Sequence, residues 1–296
     1  PWLGDVTQSP DSEKATMLNN AKTAALLAGL GGLIMAIGAI AGGTSGLTIG
    51  LVIALVTVGG SYWFSDKLAI TAARAQEVSE QEYPQYFATV RDLAQRANIP
   101  MPRLYVAPNP QPNAFATGRN PEHAAVCVNE GLMQYLTWEE ISGVLAHEIS
   151  HVRNRDILTS SVAAAIAMGI TFAARMAMWG AMFGGGRNER DGGGIADLLM
   201  IFLAPVAATV IQLAVSRSRE YEADASAARL LGTGEPLARA LEKLEMGAQR
   251  IPVQVNQAQA QAYIVNPLRS GAFAKMFSTH PGTADRISRL RGGDWK

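Results

Sequence analysis

Between Thr23 and Ser65 the chain carries no charged residue. The run breaks at Gly42-Gly43-Thr44-Ser45-Gly46 into apolar halves at about 24–41 and 47–64. Each half is close to the ~20 residues that a membrane-spanning helix requires, and Tyr62 and Trp63 stand where an interfacial aromatic anchor belongs. Gly38, Gly42, Gly46 and Gly50 recur every fourth residue, a spacing that predicts close backbone packing within this first hairpin. A second apolar pair is expected at about 160–183 and 198–215, joined by the Gly-rich, mixed-charge link GGGRNERDGGG, which reads as a flexible exposed loop. Arg175 inside the third segment is costly in lipid unless it snorkels or faces a cavity, and Pro205 predicts a kink in the fourth. Ala39-Ile-Ala41 resembles a signal-peptide cleavage site, but a second full-length apolar stretch follows too soon for that reading.

The polar parts have helical and strand periods. Thr137-Trp-Glu-Glu140 has the form of a capping box, and an apolar stripe follows at Ile141, Val144, Leu145 and Ile149. A helix of roughly 15–18 residues is expected there. Helices are expected over about 66–97, then a strand at 103–107. The stretch 113–128 reads as a hairpin, with a strand at 113–117, a turn at 118–123 and a strand at 124–128. Residues 249–266, rich in Gln, Asn and Ala, read as a loop or lid. The fold class is therefore α+β, mainly helical, with four hydrophobic helical segments. It divides into a polar segment and apolar hairpin (1–65), a first soluble part (66–159), a second hairpin (160–215) and a second soluble part (216–296).

Composition agrees with a membrane protein that also has a soluble part, since 48% of the 296 residues are hydrophobic and only 17% charged. The formal net charge is zero, so no electrostatic footprint for nucleic acid exists. The single cysteine, Cys127, lies in an apolar run and reads as a small buried hydrophobe in a strand. Lys67, Arg74, Arg153, Arg155, Arg217 and Arg219 all fall on one side of the expected spans. Arg187 and Arg190 on the other side are balanced by Glu189 and Asp191. Basic flanks stay in the cytoplasm, so that side is expected to face it.

The chemistry is concentrated at His147-Glu148-Ile149-Ser150-His151, which holds two of the four histidines. On a helix, His147 and His151 are i and i+4, so two imidazoles can grip one metal ion while Glu148 takes a proton from activated water. That is the machinery of a zinc hydrolase, most often a protease. A catalytic site usually has a third protein ligand. A histidine six residues after His151 is excluded, because Ile157 stands there, and no acidic residue follows Asp156 until Glu189. After the second hairpin, Glu220 and Asp224 are i and i+4 on helix-forming sequence. The hairpin returns them to the side of His151, so one can bind the metal while the other orients a ligand histidine. Glu222 lies about 200° around the axis from Glu220, and the pairing with Asp224 favours Glu220. Asp156 either caps the motif helix or supports a ligand.

The motif HEISH, a hydrophobic hairpin and then E-x-x-A-D together resemble the M48 family of membrane zinc metalloproteases, in particular a bacterial branch. Asn113-Ala-Phe-Ala-Thr-Gly118, Asn129-Glu-Gly-Leu132 and Ser278-Thr-His-Pro281 extend the likeness over essentially the whole chain. The resemblance implies a zincin-type, gluzincin-like domain holding one Zn2+ per chain. It implies His147, His151 and Glu220 as ligands, Glu148 as general base and Asp224 as the residue behind a ligand. His280 is the candidate donor to the oxyanion. Asn113, Ala114, Phe115, Ala116 and Thr117 would form the edge strand that pairs with an extended substrate. The implied activity is quality-control proteolysis of misfolded or damaged membrane proteins, by a multi-pass inner-membrane enzyme whose active site faces the cytoplasm. Its expected partners are unfolded or membrane-protein substrates and the lipid bilayer. Two other readings are a processing protease for prenylated C-terminal tails and a non-proteolytic, zinc-stabilised membrane chaperone or scaffold. Four spans are few for the first, and the intact Glu148 argues against the second.

Overall fold

A computed structural model of the chain describes residues 10–162, 217–250 and 281–296. The fourth apolar segment, the Gly-rich link, most of the third segment, nearly all of the expected lid and His280 lie outside the described residues.

Helix α1 (Pro10–Trp63) is two helices joined at Gly42 and Gly43, and Gly43 has φ +57°, a backbone that only glycine adopts without strain. The chain reverses there. A Cβ on Gly38 or on Gly46 would run into the carbonyl oxygen of the other, and one on Gly50 would sit tightly, at 3.1–3.2 Å, against the backbone of Ile34 and Met35. The four-residue glycine period thus brings the two halves into backbone contact, as the sequence pattern predicts. Among the described residues, one stretch (Gly42–Gly60) is long and apolar enough to cross a membrane, and Thr23–Ala36 is a shorter apolar helix.

Helix α2 (Ser65–Ala72) follows directly, and its buried Asp66 meets Arg103 Nη2 at 2.5 Å, tying the hairpin to the sheet. The sheet has strands β1 (Gln76–Glu77), β2 (Arg103–Ala107), β3 (Ala114–Gly118) and β4 (Ala124–Asn129). Their order is β1-β2-β4-β3, with β2 and β4 parallel and the other pairs antiparallel. The 113–128 hairpin is present, with a single 3-10 turn at Pro121–His123 between its strands. Cys127 is fully buried in β4, and burial pushes its thiol up to about 12, so it is inert.

Helix α3 (Pro84–Ala97) packs beneath the sheet, and its buried Tyr86 hydroxyl donates to the Val126 carbonyl at 3.1 Å. After the short α4 (Glu130–Tyr135) comes α5 (Trp138–Arg153), the centre of the molecule. Its capping box forms fully: Thr137 N–H donates to Glu140 Oε2 at 2.8 Å, and Glu140 N–H donates to Thr137 Oγ1 at 3.4 Å. Ile141, Val144, Leu145 and Ile149 are all buried against α3, the sheet, α6 (Arg217–Leu231) and α7 (Glu235–Arg250). Gly143 lets the first turn of α7 lie against α5 backbone to backbone. Helix α8 (Thr283–Gly292) closes the far side, with Arg291 bridging Glu235 and Glu242 of α7. The architecture is mainly helical with one small sheet, as expected from the sequence.

Candidate metal centre

Two turns of α5 carry the chemistry. His147 and His151 project from one face, and their Nε2 atoms stand 3.1 Å apart. Glu220, in the first turn of α6, brings Oε2 to 3.6 Å from His147 Nε2 and Oε1 to 3.7 Å from His151 Nε2. The three donor atoms lie within 4.8 Å of one another.

Carboxylates stand behind both imidazoles. Asp156 lies 3.0 Å from His151 Nδ1, and Asp224 Oδ1 lies 2.9 Å from His147 Nδ1. The second contact is close but runs off the line of the ring N–H. A carboxylate behind Nδ1 keeps the proton there and turns the Nε2 lone pair inward. The two Nε2 atoms and the Glu220 carboxylate converge at distances that one divalent cation can bridge. This donor set, two imidazoles and one carboxylate, is one that zinc enzymes use.

The electrostatics follow. Burial disfavours a charged His151, but Asp156 beside it, with Glu220 and Glu148, outweighs burial and pushes the imidazole up to about 10 in the metal-free protein. Metal entry must then displace a proton at neutral pH. Apparent affinity is expected to rise by about tenfold per pH unit between roughly pH 7 and 9, as for one displaced proton. Zinc titrations in weakly buffered solution, read by proton release, check this; a pH-independent affinity would contradict it. Burial pushes the Glu148 carboxyl up, and the neighbouring His147 and His151 oppose that rise only in part. A carboxylate raised toward neutrality is a better base than a free one.

Asp224 answers to a residue that sequence reasoning missed. Arg286, fully buried on α8, donates from Nε to Oδ2 and from Nη2 to Oδ1 of Asp224, both at 2.7 Å. Burial alone would raise Asp224; the guanidinium and His147 hold it below the usual carboxylate range. Arg286 Nη1 also reaches within 3.9 Å of Glu220 Oε2. One periodic signal pointed to Arg286: it stands at i and i+4 with the core residue Leu290, a charge on the buried face of its helix. Asp156, left open between two roles by the sequence, contacts the imidazole. Glu222 points to solvent and pairs with Arg229 at 3.1 Å.

Strand β3 passes in front of this group. Asn113 C=O accepts from Asn129 N–H at 2.9 Å, so residues 113, 115 and 117 face β4, while Ala114, Ala116 and Gly118 turn their backbone groups to the outer edge. Ala116 N–H donates to Glu148 Oε2 at 2.8 Å, which sets the carboxylate level with the middle of that edge. Asn113, Ala114 and Thr117 are buried, and Phe115 and Ala116 are half-buried. His123 sits exposed in the hairpin turn, bonded to Asn120.

Comparison with known proteins places the chain. The model of peptidase family M48 matches residues 80–293. A curated relative from Syntrophobacter fumaroxidans, called Protease HtpX homolog, is 52% identical over 275 residues, covering 91% of this chain and 98% of that protein. One of the same name from Aquifex aeolicus is 49% identical over 265 residues, covering 88% of each. Among solved structures, Ste24p of S. mikatae aligns with a TM-score of 0.50 at 20% identity, over 94% of this chain and 66% of that one, a likeness of fold.

Proposed function

The chain belongs to peptidase family M48 and is a metalloprotease, and from that premise we propose that it is a zinc-dependent endopeptidase of a bacterial inner membrane. Its substrates are misfolded or damaged membrane proteins, cut on the cytoplasmic side. The observation that carries this reading is the convergence of His147, His151 and Glu220, with Glu148 held against the edge of β3.

His147, His151 and Glu220 hold one zinc ion in a gluzincin-like domain. When bound, zinc supplies Lewis acidity, polarising the scissile carbonyl and acidifying water. Asp224 and Asp156 keep the Nδ1 protons in place and aim the imidazoles. Glu148 accepts the proton of the attacking water and delivers it to the leaving amine. The outer edge of β3, over 113–117, pairs with the extended substrate backbone, which demands an unfolded segment and selects little by sequence. His280, just before the described segment 281–296, is proposed as the donor to the oxyanion on the family resemblance alone. The soluble parts at 66–159 and 216–296 form one catalytic body on four spans, of which the 1–65 segment supplies the first hairpin and 160–215 the second. Lys67, Arg74, Arg153, Arg155, Arg217 and Arg219 set its orientation.

Detergent-purified protein stripped by a chelator is expected to lose casein hydrolysis and regain it with stoichiometric zinc but not with magnesium, whose hard, octahedral preference suits oxygen ligands. Hydrolysis that persists in the stripped protein would sink the proposal.

A further inference from the structure

Four contacts fix the height of the cleft relative to the apolar hairpin. Thr23, the first residue of the uncharged run, shares a buried hydrogen bond with Thr159, Oγ1 to Oγ1 at 2.9 Å. Thr159 and Ser161 lie on a short helical stretch, 157–162, that continues the chain beyond α5. Ser161 Oγ is 2.8 Å from Thr117 Oγ1 and accepts from Gly118 N–H at 3.4 Å, so it holds the last two residues of β3. At the other end of the hairpin, the Arg119 guanidinium lies 4.8 Å from the ring centroid of Trp63, which is 57% exposed. Phe64 and Leu68 next to it are also exposed, and the Lys67 ammonium lies over the Phe64 ring.

An exposed indole under a guanidinium, where apolar chain gives way to charge, is the arrangement of a membrane–water interface. Both ends of the hairpin therefore mark one plane, and the Gly118 end of β3 stands on it. Two residues back along β3, Ala116 N–H meets Glu148. A strand rises ~3.3 Å per residue, so the base sits about 7 Å along the strand from that plane.

We infer that this protease chooses its cleavage site by position: it cuts the extended segment that emerges directly from a substrate's membrane span, at a near-constant count of about two to four residues from the span's last apolar residue, given ~3.3 Å per residue along β3. The inference rests on the proposed roles of β3 and Glu148. The register is held from both sides. Backbone pairing with β3 ignores side chains, so sequence does not move the substrate along the edge. The substrate's own span resists being drawn further, because each step carries an apolar residue from lipid into water. Trp63 and Arg119 are positioning residues: they keep the Gly118 end of β3 at the bilayer surface and touch no reacting atom.

The test uses the zinc-loaded full chain in liposomes of a zwitterionic and anionic lipid mixture. Single-span substrates carry one unstructured linker, with or without a short Gly-Ser insert between span and linker, and cut positions are mapped by mass spectrometry. The expected result is a cut at the same count from the span in both, so that with the insert it falls in new sequence. Trp63→Ala and Arg119→Glu, made separately, should leave casein turnover in detergent unchanged while cut positions on the tethered substrates spread. A cut that travels with the linker sequence would overturn the inference, as would casein hydrolysis with the tethered substrates left intact. Cut positions unaltered in both variants would remove Trp63 and Arg119 from it. If zinc-loaded protein leaves casein intact as well, the protease reading itself fails, which separates the two failures.

Discussion

Glu148→Gln is expected to hold as much zinc as the wild type and to hydrolyse casein at least ~10³-fold more slowly, toward the upper part of the range for removing a positioned general base. The amide has nearly the shape of the carboxylate, and its oxygen still accepts from Ala116 N–H, where Glu148 Oε2 now accepts at 2.8 Å. The geometry of α5 against β3 is therefore kept. What is lost is the capacity to take a proton, which no amide has near neutral pH. His147 and His151 remain aimed by Asp224 and Asp156, so the donor triangle with Glu220 survives. Replacing a buried carboxylate by a neutral amide also removes a desolvation cost, so the thermal midpoint should stay level or rise. Turnover, metal content and thermal midpoint measured on the same preparations check all three statements. Equal zinc with turnover above a tenth of wild type would take the base role away from Glu148. Loss of zinc in the variant would instead mean that Glu148 helps to hold the metal.

Some of this was legible because it is local. The capping box Thr137–Glu140, the stripe Ile141, Val144, Leu145, Ile149 and the i, i+4 histidines all belong to one helix, whose period is written into the chain. The hairpin was legible for the same reason, since alternating apolar residues flank a turn with Gly118 and Pro121. The glycine period at 38, 46 and 50 states a backbone approach before any partner is known. What lay hidden depends on contacts between distant elements. The parallel pairing of β2 with β4, and the two-residue β1, follow from how α3 and the hairpin pack, and no local pattern encodes that. Glu220 was reached by reasoning about a hairpin that leaves and returns. Arg286 was not reached, because its partner lies 62 residues away and its helix reads as a polar, solvated one. Asp156 was ambiguous because a carboxylate just past a helix end can serve either role.

That hidden arginine carries the second large effect. Arg286→Met is expected to lower metal affinity by about 10- to 100-fold, the usual cost of losing a partner behind a ligand. It is also expected to destabilise the protein by about 3–5 kcal/mol, as when one side of a buried ion pair is removed. Both follow from one geometry. Asp224 is buried with its two oxygens taken by Arg286, and through Oδ1 it also faces His147 Nδ1. Without the guanidinium the carboxylate either stays charged and uncompensated or takes up a proton, and in neither state does it hold His147 as before. Arg286→Lys should recover little, since an ammonium cannot replace a planar fork that makes two parallel bonds. The two effects separate in the double variant with Asp224→Asn. Removing both charges leaves no buried ion alone, so thermal stability should return most of the way. Metal affinity should not, because an amide does not hold the Nδ1 proton as a carboxylate does. Calorimetric midpoints and competitive zinc titrations on the three variants decide this. If the double variant regained both stability and zinc affinity, Arg286 would matter only as the counter-charge of Asp224, and His147 would be oriented by something else. If stability alone returned, helix α8 would be part of the metal centre, tied to it through the buried Arg286.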